Sequence, residues 1–255
     1  MPTSFLKNIL YTQLDSKTWC ATAQLIPRLP PQPLTSLHLV FDNPLKPYLM
    51  QNNVLYRDDW RLIPNTTVTK QQIAKTRRQQ QRKGVRLLLQ NLLIEIGITD
   101  LLDESQFPYR LIKSGYYVCF SHSGSANIKS SQLELDDKVA VTIGTHRPIG
   151  IDIEIQAINW HVAQRFYHPA EIEILAKLPI DQRNLITKWL WQLKESFIKI
   201  YQYTLAQGLG KSYADIIPKL LVSLNNDDSA VITIKDTQYG YQIVALPYQY
   251  TLIVF

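Results

Sequence analysis

The stretch from Thr69 to Ile96 contains no proline, whereas the first sixty residues include Pro27, Pro30, Pro31, Pro33, Pro44 and Pro47. That contrast limits the available folds. Within the proline-free stretch Val85, Leu88, Leu89, Leu92, Leu93 and Ile96 recur at intervals of three and four, which predicts an amphipathic helix with Gly97 as its stop. The prolines upstream forbid long helices there and predict short strands joined by loops. Downstream, residues 116–120, 139–143 and 149–155 read as strands, 144–148 as a turn and 123–137 as a polar loop. Helices are expected at about 169–178 and 182–203, separated by Pro179. β-Branched and aromatic residues then predict strands at 219–224, 230–235, 241–246 and 250–255. This order describes an α+β protein with two similarly built halves.

Composition narrows the function classes. At 255 residues, 45% hydrophobic and 19% charged, the chain has the makeup of an ordinary soluble protein and not of a disordered one. Its apolar runs, such as 87–89 and 252–255, fall far short of the roughly 18 to 20 residues of a membrane span. No apolar run with a small-residue cleavage site follows Lys7, so a secretory signal is not supported and a cytoplasmic location is expected by default. Cys20 and Cys119 have neither disulfide-framework nor zinc-ligand spacing and read as core thiols. A net charge of +6 is compatible with nucleic acid, an acidic protein or a phosphorylated small molecule.

Chemistry is concentrated in a few short segments. In Gly150-Ile151-Asp152-Ile153-Glu154-Ile155 the strand period of two sends the isoleucines to one face and both carboxylates to the other. Paired acids repel and raise one another's pKa unless an oxygen-preferring dication sits between them; the alternative is a half-exposed strand with solvated acids. On the helix at 182–203, Ile186, Leu190, Leu193, Phe197 and Ile200 form the buried stripe, with Lys188, Gln192, Glu195 and Lys199 opposite. Glu195 and Lys199 are one turn apart, as in an ordinary exposed pair worth a few tenths of a kcal/mol. Taken with the strand acids, they are also what phosphoryl chemistry uses: carboxylates for Mg²⁺ and a lysine for phosphate oxygens. Ser121-His122-Ser123-Gly124 can line an anion pocket, or serve as a plain loop with a structural histidine. No G-x-S-x-G elbow surrounds either serine, which argues against a serine-nucleophile triad. Arg78, Arg82 and Arg86 align at i, i+4, i+8 on the long helix, either as a solvated face or as a phosphate-binding ridge.

Gly150-Ile151-Asp152-Ile153-Glu154 and Trp191-Gln192-Leu193-Lys194-Glu195-Ser196-Phe197-Ile198-Lys199, 41 positions apart from Glu154 to Glu195, resemble the two signature motifs of 4′-phosphopantetheinyl transferases. The resemblance runs from about residue 78 to 211. The chain's length resembles the monomeric, surfactin-synthetase-activating branch more than the short trimeric holo-acyl-carrier-protein synthases. It implies two α+β halves related by a pseudo-twofold, residues 1–145 on the nucleotide side of coenzyme A and 146–255 carrying the metal-binding acids and the carrier-protein side. By resemblance Asp152, Glu154 and Glu195 bind Mg²⁺, with Mn²⁺ able to substitute. Lys199 and Lys194 face the coenzyme A phosphates, Ser121 and His122 contact the nucleotide side, and Arg82, followed by Arg78, takes the 3′-phosphate. The implied reaction is attack by a carrier-protein serine on the β-phosphorus of coenzyme A, with 3′,5′-ADP leaving; Glu195 or a water on it accepts the proton. Residues 166–171 resemble the start of the helix near which the carrier docks, and otherwise read as a helix start with Pro169 at its first position. The chain departs from the family pattern at Phe107-Pro108-Tyr109, where Gly-Lys-Pro is common, at Cys119, where asparagine is common, and in a longer segment at 125–138. The implied partners are coenzyme A and an apo acyl or peptidyl carrier protein, without nucleic acid or membrane.

Two rivals have different signatures. A magnesium-dependent nuclease also combines acids with a lysine, but usually as Glu-x-Lys on one strand, whereas Glu195 and Lys199 are four apart in a helical pattern. A basic nucleic-acid-binding module would use the Arg78 to Arg86 face and leaves the three carboxylates without a role.

Overall fold

The computed structural model describes residues 5–26, 70–129, 132–225, 231–236 and 240–255; the prolines from Pro27 to Pro47 and the strands expected around them lie outside these. The chain divides into two compact units, Met1–Pro27 with Gln80–Phe255, and Arg28–Gln79. Of the second unit, the described part is residues 70–79 of helix α1 (Lys70–Glu95).

In the first unit, β1 (Leu6–Asp15), β2 (Thr18–Leu25), β3 (Leu102–Asp103), β4 (Tyr109–Leu111), β5 (Tyr117–Lys129) and β6 (Gln132–Gly144) form an antiparallel sheet in the order β1-β2-β6-β5-β4-β3. A second antiparallel sheet has the order β7-β10-β9-β8, from β7 (Gly150–Ile153), β8 (Ile232–Lys235), β9 (Gln242–Leu246) and β10 (Thr251–Val254). Between β7 and β8 come α2 (Trp160–Phe166), α3 (Pro169–Ala176), α4 (Ile180–Tyr201), α5 (Leu205–Leu209) and α6 (Ile217–Asn225). The mixture of helices and antiparallel sheets is the α+β class that the sequence predicts.

Three apolar clusters hold these layers. Val85, Leu88, Leu89, Leu92 and Leu93 of α1 bury against Val118, Val139, Val141 and Ile143 of the first sheet. On the second sheet, Leu190, Leu193 and Phe197 of α4 pack with Ile243 and Leu252. Cys20, Cys119, Ile151, Ile153 and Ile253 join the two sheets face to face. Both thiols are core groups, and burial pushes Cys20 up to about 12. Helix α1 ends as expected: Gly97 has φ +72°, Ile98 N–H donates to Leu93 O and Gly97 N–H to Ile94 O, the paired bonds of a Schellman stop. At Gly150 a Cβ would collide with the Ser196 backbone, so the missing side chain lets α4 lie directly on β7.

The structure corrects two sequence expectations. The expected loop at 123–137 is strand over its described residues, 123–129 and 132–137, where β5 and β6 pair in unbroken register, Ser123 opposite Lys138 and Lys129 opposite Gln132. Residues 219–224 are not a strand; they belong to α6, and within them leucines, good helix formers, outnumber the single β-branched Val222, while of Leu220, Leu221 and Val222 only Leu220 is buried.

Candidate functional site

Strand β7 is the edge of its sheet, with β10 on one side only. An edge strand carries outward-facing N–H and C=O groups that need partners when buried. Here β5 supplies them, because its own period of two matches that of β7. Ser121 Oγ donates to Asp152 Oδ1 at 2.9 Å and accepts from Ile153 N–H at 3.2 Å. Two residues on, Ser123 Oγ donates to Glu154 Oε1 at 2.8 Å and accepts from Ile155 N–H at 3.2 Å. Each serine thus closes one edge amide and orients one acid.

The side of α4 opposite its apolar stripe faces these acids and not open solvent. Lys199 Nζ lies 3.1 Å from Asp152 Oδ1, 3.2 Å from Ser121 Oγ and 2.6 Å from Ile151 O. Gln192, 1% exposed, donates through Nε2 to Asp152 O at 3.3 Å and to Tyr250 O at 2.6 Å. Glu195 is half-buried one turn before Lys199 and makes no hydrogen bond among the described residues.

Electrostatics follows from this crowding. Burial raises the Asp152 carboxyl above its usual value, and the opposing pull of Lys199 and Ser121 does not cancel it. Burial also raises Glu195; Lys199 pulls back, while Asp152 and Glu154 push it further up. For Lys199 burial disfavours the ammonium, but Asp152, Cys119 and Glu195 outweigh it and leave its pKa above the ordinary lysine value.

No three His, Cys, Asp or Glu side chains among the described residues converge into a ready-made metal cage. The donor set nevertheless fits a hard dication. Among the described residues the contacts of Asp152 fall on Oδ1 and those of Glu154 on Oε1, so each has a second oxygen unengaged there, and Glu195 has both. All are oxygen donors of the kind that Mg²⁺ prefers, and a dication would offset the burial cost, and the lesser mutual repulsion, that raise Asp152 and Glu195.

Other sequence-predicted residues lie elsewhere. His122 is exposed on the face of β5 opposite Ser121, since successive strand residues alternate, so the two do not share one surface. Ser121, 5% exposed and engaged with three partners, holds the acid strand and does not present its hydroxyl outward. Lys194 corrects the expectation of a phosphate contact: it is fully buried, 2.9 Å from Glu171 Oε2, and also donates to Leu209 O at 2.8 Å. Arg78 and Arg82 are exposed on α1, while Arg86 is tied to Glu104 at 2.6 Å. Sequence reasoning missed Tyr250 and Glu171. For Glu171 a signal existed, since His168-Pro169-Ala170-Glu171 forms a capping box.

A cavity of about 720 Å³ lies at the opposite end of β7, lined by Thr145, His146, Arg147, Lys235, Asp236 and Tyr241 among others. It contains none of the three acids.

Residues 148–249 match the model of the 4′-phosphopantetheinyl transferase superfamily. The 4′-phosphopantetheinyl transferase psf-1 of Bacillus pumilus is 32% identical over 90 residues, covering 35% of this chain and 35% of that protein. The match therefore spans about a third of the length of that relative. Asp152, Glu154, Glu195 and Lys199 fall inside the family match; Ser121, His122, Arg78 and Arg82 fall outside it.

Proposed function

We infer that this chain, whose residues 148–249 match the 4′-phosphopantetheinyl transferase superfamily, is a transferase of that kind and moves phosphopantetheine from coenzyme A to a serine of an apo carrier protein. The observation that carries the reading is the ion pair of Lys199 with Asp152, with Glu154 held by Ser123 on the same strand and Glu195 half-buried one turn before Lys199 on α4.

Asp152, Glu154 and Glu195 would hold Mg²⁺ through the carboxylate oxygens that are unengaged among the described residues. When bound, the ion supplies Lewis-acid stabilisation of charge developing on the pyrophosphate oxygens. Lys199, kept protonated by its acidic neighbours, lies where a phosphate oxygen could exchange places with Asp152 on its ammonium. The carrier serine Oγ attacks the β-phosphorus, the bond from that phosphorus to the bridging oxygen breaks, and 3′,5′-ADP leaves. The serine proton passes to Glu195 or to a water on it. Arg82 and Arg78, exposed on α1, are the proposed 3′-phosphate contacts, and exposed His122 the proposed nucleotide contact.

In this reading residues 1–145 form the nucleotide-side half and 146–255 the acid-bearing half, related by a pseudo-twofold, and the enzyme acts as a cytoplasmic monomer of the surfactin-synthetase-activating type. No helix among the described residues is long and apolar enough to cross a membrane. The excess of positive charge suits an acidic carrier, because complementary charge speeds encounter. Release of 3′,5′-ADP that requires both an apo carrier and Mg²⁺ is the expected result of incubation with coenzyme A. Release without any carrier, or none with a panel of carriers, contradicts the reading.

A further inference from the structure

The segment after β9 is a single 3-10 turn, Pro247–Gln249, followed by Tyr250 with φ 56° and ψ 30°. A left-handed backbone at a bulky aromatic residue is costly and persists only where its surroundings hold it. Two sets of contacts do so. The Gln249 side chain accepts from Thr22 Oγ1 and donates to Thr12 Oγ1, each at 3.0 Å, which pins the turn to β1 and β2. The Tyr250 ring has Lys138 Nζ 3.9 Å and Lys188 Nζ 4.9 Å from its centroid. Lys188 Nζ also donates to Ile155 O at 3.2 Å, one residue beyond Glu154.

The carbonyl that this conformation presents has two donors. Glu154 N–H reaches it at 2.9 Å and Gln192 Nε2 at 2.6 Å, and the same Gln192 nitrogen lies 3.3 Å from Asp152 O. One buried amide therefore joins α4, which carries Glu195 and Lys199, directly to the backbone of Asp152 and, through the shared Tyr250 oxygen, to that of Glu154.

The geometry points to Tyr250 and Gln192 as positioning residues that fix the spacing between the strand acids Asp152 and Glu154 and the helix acid Glu195. The inference rests on the reading of those acids as metal ligands. Neither residue offers an atom to the metal or to the reacting phosphorus: Gln192 is buried behind the acids, and Tyr250 acts through its backbone oxygen. Partners behind a ligand set commonly govern metal affinity by about 10- to 100-fold.

The test is Mn²⁺ binding followed by electron paramagnetic resonance in the presence of coenzyme A, alongside turnover as a function of Mn²⁺. Gln192→Met keeps the volume and removes the amide. Tyr250→Val loses the ring and, being β-branched, resists the left-handed backbone, whereas Tyr250→Phe keeps the ring between the two lysines. Gln192→Met and Tyr250→Val are expected to weaken Mn²⁺ binding at least about tenfold, with kcat at saturating metal within about twofold of wild type. Tyr250→Phe is expected to behave as wild type. A lower melting temperature with an unchanged Mn²⁺ dissociation constant in both weakened variants overturns the positioning inference and leaves the acids as ligands. Absence of Mn²⁺ binding by the wild type overturns the ligand reading and the inference together.

Discussion

Ser121 donates its hydroxyl proton to Asp152 Oδ1 at 2.9 Å while accepting from the amide of the next residue, Ile153, at 3.2 Å. A single side chain thereby aims an acid and satisfies the free edge of the strand that carries it. Ser121→Ala leaves a buried N–H unpaired and removes one hydrogen bond to the carboxylate. We expect a stability loss of about 1–3 kcal/mol, read from denaturant unfolding, together with reduced turnover. A variant as stable and active as wild type would show that the serine is incidental to the acid's placement.

Glu195→Gln separates stability from function. The folded-state pKa of Glu195 lies above its unfolded value, so its contribution to stability is complete below about 4.5 and is lost as pH rises through the folded pKa. In metal-free buffer the glutamine variant should therefore melt higher than wild type at pH 7, and the gap should shrink toward pH 4. Turnover should fall by about 10² to 10⁴. A melting temperature that drops at pH 7 contradicts the assignment of strain to this carboxylate.

Asp152→Ala is expected to abolish turnover, but at a cost to the fold that strand alternation alone does not predict. Removing the carboxylate leaves the Lys199 ammonium beside Ser121 and Ile151 O without its counter-ion. Loss of about 2–4 kcal/mol should appear in unfolding curves, and Asp152→Ala with Lys199→Met should recover part of it. Strict additivity of the two single variants would show that the pair is not coupled.

Lys199 and Lys188 lie on the same side of α4, yet Lys199 contacts Asp152 whereas Lys188 donates to Ile155 O. Lys199→Ala should reduce kcat far more than Lys188→Ala. Equal losses would assign the effect to net charge on that side of the helix.

Lys194 tests a correction. Its ion pair with Glu171 is wholly buried, and Glu171 also accepts from Tyr213 N–H at 2.7 Å and His168 N–H at 3.0 Å. Lys194→Met should destabilise by about 3–5 kcal/mol, because the remaining carboxylate loses its counter-ion. At a temperature where the variant is folded, its KM for coenzyme A should match wild type. A selective rise in that KM would restore Lys194 as a phosphate contact.

The site residues were legible in sequence where periodicity carries direction. Alternation put Asp152 and Glu154 on one side of a strand, and the 3.6 period put Gln192, Glu195 and Lys199 on one side of a helix; the structure turns that side toward the acids. The serines were visible as a motif, but their role needs β5 to lie along the free edge of β7, a long-range relation that no local pattern contains. Residues 123–137 read as a loop because their polar composition resembles a connection, although pairing with β6 continues the strand. Helix α6 was hidden because its apolar run Leu220-Leu221-Val222 is too short to show a helical period, while α5 was detectable from Thr204-Leu205-Ala206-Gln207, whose reciprocal capping bonds form as that pattern implies. Tyr250 carried no signal, since its contribution is a backbone oxygen in a left-handed turn.

The central claim is tested most directly by the intact mass of apo carrier proteins after incubation with this protein, coenzyme A and Mg²⁺, with a chelator control and the Glu195→Gln variant beside it. The account predicts a gain of one phosphopantetheine, about 340 Da from the chemistry of the transferred group, on a single carrier serine, lost with chelator and with Glu195→Gln. No gain on any carrier while coenzyme A binds, or a gain that survives the loss of Glu195, would contradict it.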